Sequence, residues 1–329
     1  KYKQYIKGND YLKAFEEALK DADAGSKKLY IPACTYELSG IWYIYGSDVK
    51  ITGAGIWYTN LKFTNPNPFG GGISGGNGSH GPDDYCNNMD ISNFYINSNL
   101  RSRWDQKAVY KCFMDVFKGG SAIHDIWEDH FECGFWIADY NGKIDYSSGL
   151  KIYNCRIRNN FADGVNFCQG TSDATVYNCS IRNNGDDGLA MWNHDNQGAH
   201  DESNNTFAYN TIEFIWRAGG IAIYGGNGHK VYNNYLADMF MSAGIHLNDI
   251  FDGPKFKNTQ NISFDNNILV RCGTNDDSWH EDLAAIDIKG DVRNVTFNNT
   301  KIYDSPFDAI RIFKGPTGIV FKKTEILGA

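Results

Sequence analysis

The sequence predicts an all-β chain: a right-handed parallel β-helix with an N-terminal capping helix. Three observations carry that expectation. YNCRIRNNFADGVNF (153–167) and YNCSIRNNGDDGLAM (177–191) are near copies of one another. The apolar residue two places after each Cys recurs at Ile157, Ile181, Ile212, Leu236, Leu269 and Ile302, at spacings of 24, 31, 24, 33 and 33. Each recurrence is followed by a second short strand of apolar–x–apolar form, at 165–167, 189–191, 221–223, 245–247, 286–288 and 310–312, with 135–137 as an earlier member. Coils of this kind cannot bury their apolar face alone, so they stack at roughly 4.8 Å around a shared core. Unequal periods mean loops inserted at fixed corners.

The elements follow in order. DYLKAFEEALKDADAG (10–25) has the period of an amphipathic helix, capped at Asp10 and ended near Gly25, which makes residues 1–28 a helical cap. A β-helix needs a cap because its first coil otherwise leaves an open sheet edge. A strand is expected at 29–31, and DVKITGAGIWYTNLKF (48–63) supplies further early strands. Residues 64–88 read as a Gly-rich loop too long for a tight turn. The paired strands then repeat down to TGIVFKKTEI (317–326), which has no capping segment after it and so implies a continuing or covered end. The whole of 1–329 reads as a single β-helix domain.

Hydrophobic residues at 42% and aromatics at 15% can build a core, which excludes global disorder. A net charge of −8 argues against nucleic acid or an anionic membrane as partner, and no apolar run has membrane-spanning length. The chain starts at Lys1 without Met or a signal peptide and so reads as a mature or excised fragment; a secreted, extracellular and monomeric protein is expected. Eight Cys form no CxxC pair, which disfavours a zinc ribbon. Cys155 and Cys179 fall in one slot of adjacent coils, either as reduced thiols or as a disulfide. Asn154 and Asn178 share another slot and should form an amide ladder.

The second copy carries one more acid than the first. Asp163 and Asp187 occupy the same slot of consecutive coils, each just before a Gly, and Asp186 adjoins Asp187. Three carboxylates on one face repel, so at least one should hold its proton near neutral pH and supply an acid beside a base. Glycoside hydrolysis needs that pair. Asp-Gly turns are also common structural devices, and Asp-rich corners leave structural calcium open. No cofactor or catalytic metal is expected. Asp163 and Asp187 should stack closely and share a water, with the Asp186 side chain diverging from them; two carboxylates on a water and a third set apart is an inverting arrangement. No Lys or Arg is expected in the cluster, which disfavours a polysaccharide lyase.

The ADG motif followed by GDDG, 23 residues apart at Asp163 and Asp186, resembles the β-helix polygalacturonases and dextranases. With GAGIWYTNL (53–61) it more closely resembles glycoside hydrolase family 87, the α-1,3-glucanases or mutanases. The resemblance covers most of the chain, but the aspartate motifs carry nearly all its specificity. It implies a secreted, inverting, endo-acting glucan endo-1,3-α-glucosidase, with Asp163, Asp186 and Asp187 catalytic and Asp186 the general acid. Exchange of acid and base among the three stays open.

Middle residues of the second strands point away from the core and read Trp136, Asn166, Ala190, Ala222, His246, Asp287 and Arg311. Ala190 and Ala222 should leave a channel for a polymer chain beside the acids. Trp136, Asn166, Trp192, Arg217, Tyr224 and His246 are the candidates to bind sugar, the aromatics through the apolar faces of glucose rings. A neutral α-glucan fits better than a uronate, since only Arg311 is basic in that column. The alternatives are a dextranase- or polygalacturonase-like hydrolase, a lyase, or a β-helix that binds glycans without cleaving them.

Overall fold

The computed structural model describes residues 1–65, 70–76, 85–98, 100, 111–139, 145–194, 200–251, 256 and 259–328. The helix occupies Leu12–Ala24 and ends at Gly25. Asp10 lies one residue before the helix cap, where its carboxylate accepts the Leu12 N–H at 3.1 Å and the Ser39 hydroxyl at 2.7 Å. Phe15 and Leu19 close the core end, with Phe15 edge-on to Trp42 at 5.0 Å.

Behind the cap the chain winds as a right-handed parallel β-helix. Each coil lays down three strands that pair in parallel with the coils before and after. In the second copy these are Thr175–Tyr177, Ser180–Arg182 and Leu189–Trp192. The repeated slot is one continuous ladder, Ile157 to Ile181, Ile212, Leu236, Leu269 and Ile302. All six are fully buried. The second-strand column is equally continuous, since Trp136, Asn166, Ala190, Ala222, His246, Asp287 and Arg311 pair in register.

The corners explain the Asn-rich composition. Asn154, Asn178, Asn233, Asn266 and Asn299 turn the chain between the first two strands of their coils, with φ between +52° and +57°, and Tyr209 takes the same conformation on the coil between Asn178 and Asn233. Asn tolerates that left-handed conformation better than other side chains with a Cβ. The Asn178 amide donates to the Asn154 oxygen at 2.7 Å, the ladder the sequence implies. A second, buried ladder runs inside: the Asn210 amide donates to Asn234 at 3.1 Å and the Asn234 amide to Asn267 at 3.0 Å. Cys155 and Cys179 lie buried as free thiols at the head of that column, where the Cys179 N–H donates to the Asn210 oxygen at 3.0 Å.

The Gly-rich stretch 64–88 is not one loop. Its described part contributes the strand Ile73–Gly75, paired with Trp42–Ile44 and Lys111–Asp115, and the short strand Cys86–Asn87. Its glycines serve close packing: at Gly72, with φ of +99°, a Cβ would lie 1.8 Å from the Lys111 carbonyl oxygen. Residues 66–69 and 77–84 of the stretch lie outside the described residues. No described helix is long and apolar enough to cross a membrane.

Candidate active site

Register fixes where the acids meet. Val165 pairs with Leu189, so Asp163 and Asp187, two residues before them, stack on adjacent coils. Backbone bonds from Gly164 to the Asp187 carbonyl (2.9 Å) and from Gly134 to the Asp163 carbonyl (3.0 Å) hold that stacking. One carboxylate oxygen from each of Asp163, Asp186 and Asp187 lies within 4.8 Å of the others. Asp163 and Asp187 are buried, at 5% and 4% exposure, while the Asp186 side chain is 24% exposed.

Each carboxylate has a different environment. Burial and the neighbouring Asp163 charge push Asp187 up to about 8, against the pull of hydrogen bonds from the Gly219 N–H and the Tyr224 hydroxyl. The Gly219 bond is 2.7 Å. Asp163 is raised above the usual carboxylate range by burial, offset by the Lys111 charge and aided by Glu132. Asn166 donates to Asp163 from the strand behind it. Asp186 is ion-paired with Arg217, whose Nε also donates to the Gly185 carbonyl at 3.0 Å. The expectation that Asp186 stands apart is therefore corrected. Its difference from the other two is its Arg partner and its exposure, not distance.

The cluster also contains cations, contrary to the sequence reading. Lys111 is buried at 7% exposure, pairs with Glu132 and sits 4.6 Å from the Trp136 ring centroid. Lys111 pairs with Cys133 in register, and Cys133 falls in the slot that holds Asp163 and Asp187 on the next coils. Glu132 likewise occupies the slot of Asp186, two coils earlier. The signal lay in the strands KCFMD and CGFWI, which follow the same spacing once aligned.

Three carboxylates converge on one β-helix face, the two buried ones raised above their ordinary values, on a scaffold that matches a known family. Residues 5–298 match the family model of the alpha-1,3-glucanase catalytic domain D2. The chain belongs to this α-1,3-glucanase catalytic domain family. The Agl-KA catalytic domain structure is 45% identical to this glucanase-family chain, with a TM-score of 0.88, over 97% of this chain and 56% of that one. A family-87 α-1,3-glucanase catalytic domain solved with tetrasaccharides is 24% identical, with a TM-score of 0.79, over 97% of this chain and 57% of that one. The A-module of an Azotobacter vinelandii mannuronan C-5 epimerase shares the fold at 14% identity and a TM-score of 0.62, over 100% of this chain and 95% of that one. The chain thus spans just over half the length of the first two. No curated protein matches it.

The other candidate residues of the glucanase-family chain separate into two groups. Trp136, Asn166 and Arg217 border the acids. Trp192, Tyr224 and His246 belong to an aromatic layer over the next coils: Trp192 meets Phe256 at 4.7 Å and Tyr224 meets Phe251 at 5.0 Å and His246 at 5.8 Å. This layer corrects the expected channel. Ala190 and Ala222 are fully buried because Trp192, Tyr224, Phe251 and Phe256 pack over them. Small residues there seat an aromatic cover, and Tyr224 reaches from that cover to Asp187. His246 is buried and held neutral, its pKa pushed down to about 3 by burial and by the Lys289 and Arg311 charges.

Proposed function

We propose that this domain hydrolyses α-1,3-glucan as a secreted, monomeric, endo-acting enzyme that works through Asp163, Asp186 and Asp187 without a metal. The convergence of the three carboxylates within 4.8 Å carries this reading. Three such groups in a buried site cannot all be ionised, so the trio retains a shared proton, with Asp187 its main holder in the free protein. Asp186 is the most exposed of the three. The proton that Asp187 holds in the free protein passes to Asp186 within the cluster, and Asp186 delivers it to the glycosidic oxygen while Asp187, now ionised, accepts a proton from the attacking water. Asp163 and Asp187 stack on one wall and can grip the attacking water. Arg217 and Lys111 set the charge balance around them.

The closest oxygens lie nearer than the roughly 6.5–9.5 Å usual between acid and base in inverting glycosidases. Inversion therefore rests on the division between a stacked, water-gripping pair and a more exposed donor, in an enzyme whose substrate parts Asp186 from that pair. A lyase would use an uncompensated base and a cation on a uronate. Lys111 and Arg217 each face a carboxylate, Glu132 and Asp186, so the site favours a neutral glucan. Trp136, Asn166 and Arg217 border its first sugar, and Trp192, Tyr224 and His246 support the wall beyond.

The test is release of reducing ends from α-1,3-glucan, dextran and polygalacturonate, with and without EDTA, followed by proton NMR of the first product. Expected are release from α-1,3-glucan alone, unchanged by EDTA, with the β-anomer appearing first. Initial α-anomer would make one aspartate a nucleophile. EDTA-sensitive turnover would instead make the trio a cation site, which its three oxygen donors could form.

A further inference from the structure

Around the corner from the acids, the structure holds a cavity of about 380 Å³. Its walls are Phe161, Phe214, Trp216 and Phe240, over a floor that includes Asn159 and Asn183. Register explains the shape. The ladder Ile157, Ile181, Ile212, Leu236 places Phe161, Gly185, Trp216 and Phe240 in one slot of four coils, four residues further on. Gly185 interrupts this aromatic column, and Trp216 leans into the gap: a Cβ at position 185 would lie 2.2 Å from the Trp216 ring. The rings do not collapse on one another. Phe214 and Phe240 lie 6.2 Å apart with their planes inclined by 29°, Phe240 is 59% exposed and Trp216 37% exposed.

We propose that this cavity is an accessory subsite that binds a glucosyl segment of the same polymer away from the scissile bond. The inference rests on the function proposed above. Two features point to a neutral sugar as occupant. Flat aromatic faces suit the apolar faces of pyranose rings, and the Asn159 and Asn183 amides beside them suit hydroxyls. No Asp, Glu, Lys or Arg is among the lining residues, and the titratable His130 there is paired with Asp129; the volume falls in the range of small-ligand sites, about 300–1,000 Å³. Continuity with the acids is direct, because Gly185 precedes Asp186 and Phe161 lies two residues before Asp163. A polymer held at both places would be retained more tightly than a short fragment held at the acids alone.

The experiment compares kcat/KM for an α-1,3-linked glucose hexasaccharide with that for a disaccharide or trisaccharide, in wild type, Phe240→Ala and Trp216→Ala. Binding of the hexasaccharide to Asp186→Asn, with and without Phe240→Ala, is measured by calorimetry alongside. Expected is a three- to tenfold fall in the long-to-short ratio for Phe240→Ala, carried by KM, and a matching loss of hexasaccharide affinity. Trp216→Phe should recover most of what Trp216→Ala loses. Tyr209→Ala, an exposed aromatic on another column, should leave the ratio unchanged. A ratio within twofold of wild type in Phe240→Ala, or an equal loss on long and short substrates, overturns the proposal. Absence of wild-type cleavage of any α-1,3-glucan overturns the functional reading, and this proposal with it.

Discussion

Two polar columns run up this β-helix, and they are built by the same stacking of coils. In one, Asn210, Asn234 and Asn267 lie buried, and each amide both donates and accepts. Asn234 receives the Asn210 N–H at 2.9 Å, and its own amide donates to Asn267 at 3.0 Å and to the Phe207 carbonyl at 2.9 Å. In the other, Asp163 and Asp187 stack and can only accept unless one keeps a proton. Amides repeated at coil spacing complement one another, whereas carboxylates so repeated must hold a proton or recruit donors. Gly219, Tyr224 and Asn166 are those donors. The first column is therefore a device of stability, and the second stores unfavourable electrostatics at the site proposed to do the chemistry.

Substitutions break that comparison in opposite ways. The largest effect should be on turnover: Asp163→Asn and Asp186→Asn should each lower the rate on α-1,3-glucan by about 10²-fold or more, read as reducing ends per minute, with far-UV circular dichroism unchanged. Next in size is the amide column. Asn234→Ala strands the Asn210 N–H and the Phe207 carbonyl in the core, and should cost about 2–4 kcal/mol by chemical denaturation, with kcat on α-1,3-glucan preserved in the folded fraction. A fall in turnover without loss of stability would show that the two columns are not separable.

The smallest effect sharpens the electrostatic half. Asp187 titrates at about 8 when folded, above its ordinary value when unfolded. Its contribution to stability is thus complete below the ordinary carboxylate range and is lost as pH rises through about 8. Asp187→Asn does not titrate there, so its melting temperature should gain on that of wild type from pH 5 up to about pH 8 and level off above it. A constant difference across that range would mean that Asp187 ionises normally.

The fold was legible because the apolar slots repeat and each strand is short; Ile157 and Ile181 place one another without further information. The acid trio was legible for the same reason, since the two copies align residue by residue. Lys111 was not, because the strand at 111–115 follows a long insertion that hides its register; Glu132 was within reach of the same alignment, three residues before the 135–137 strand. Nor was the cover over Ala190 and Ala222. Phe251 and Phe256 come from a loop after Ile245–Asn248, and no periodicity states where a loop folds back. Small residues in an outward column imply space, but here that space is filled from elsewhere in the chain. Asp186 illustrates the limit differently: its position was evident, while its Arg217 partner came from the following coil through a corner of altered length.

The most direct test of this account is Asp187→Asn measured twice at pH 8, once for the rate of reducing-end release from α-1,3-glucan and once for thermal unfolding. The account predicts a rate lower by about 10²-fold or more together with a melting temperature above that of wild type, because the same buried carboxylate serves the chemistry and strains the fold. Wild-type rate in the variant, or a melting temperature that falls along with the rate, would contradict it.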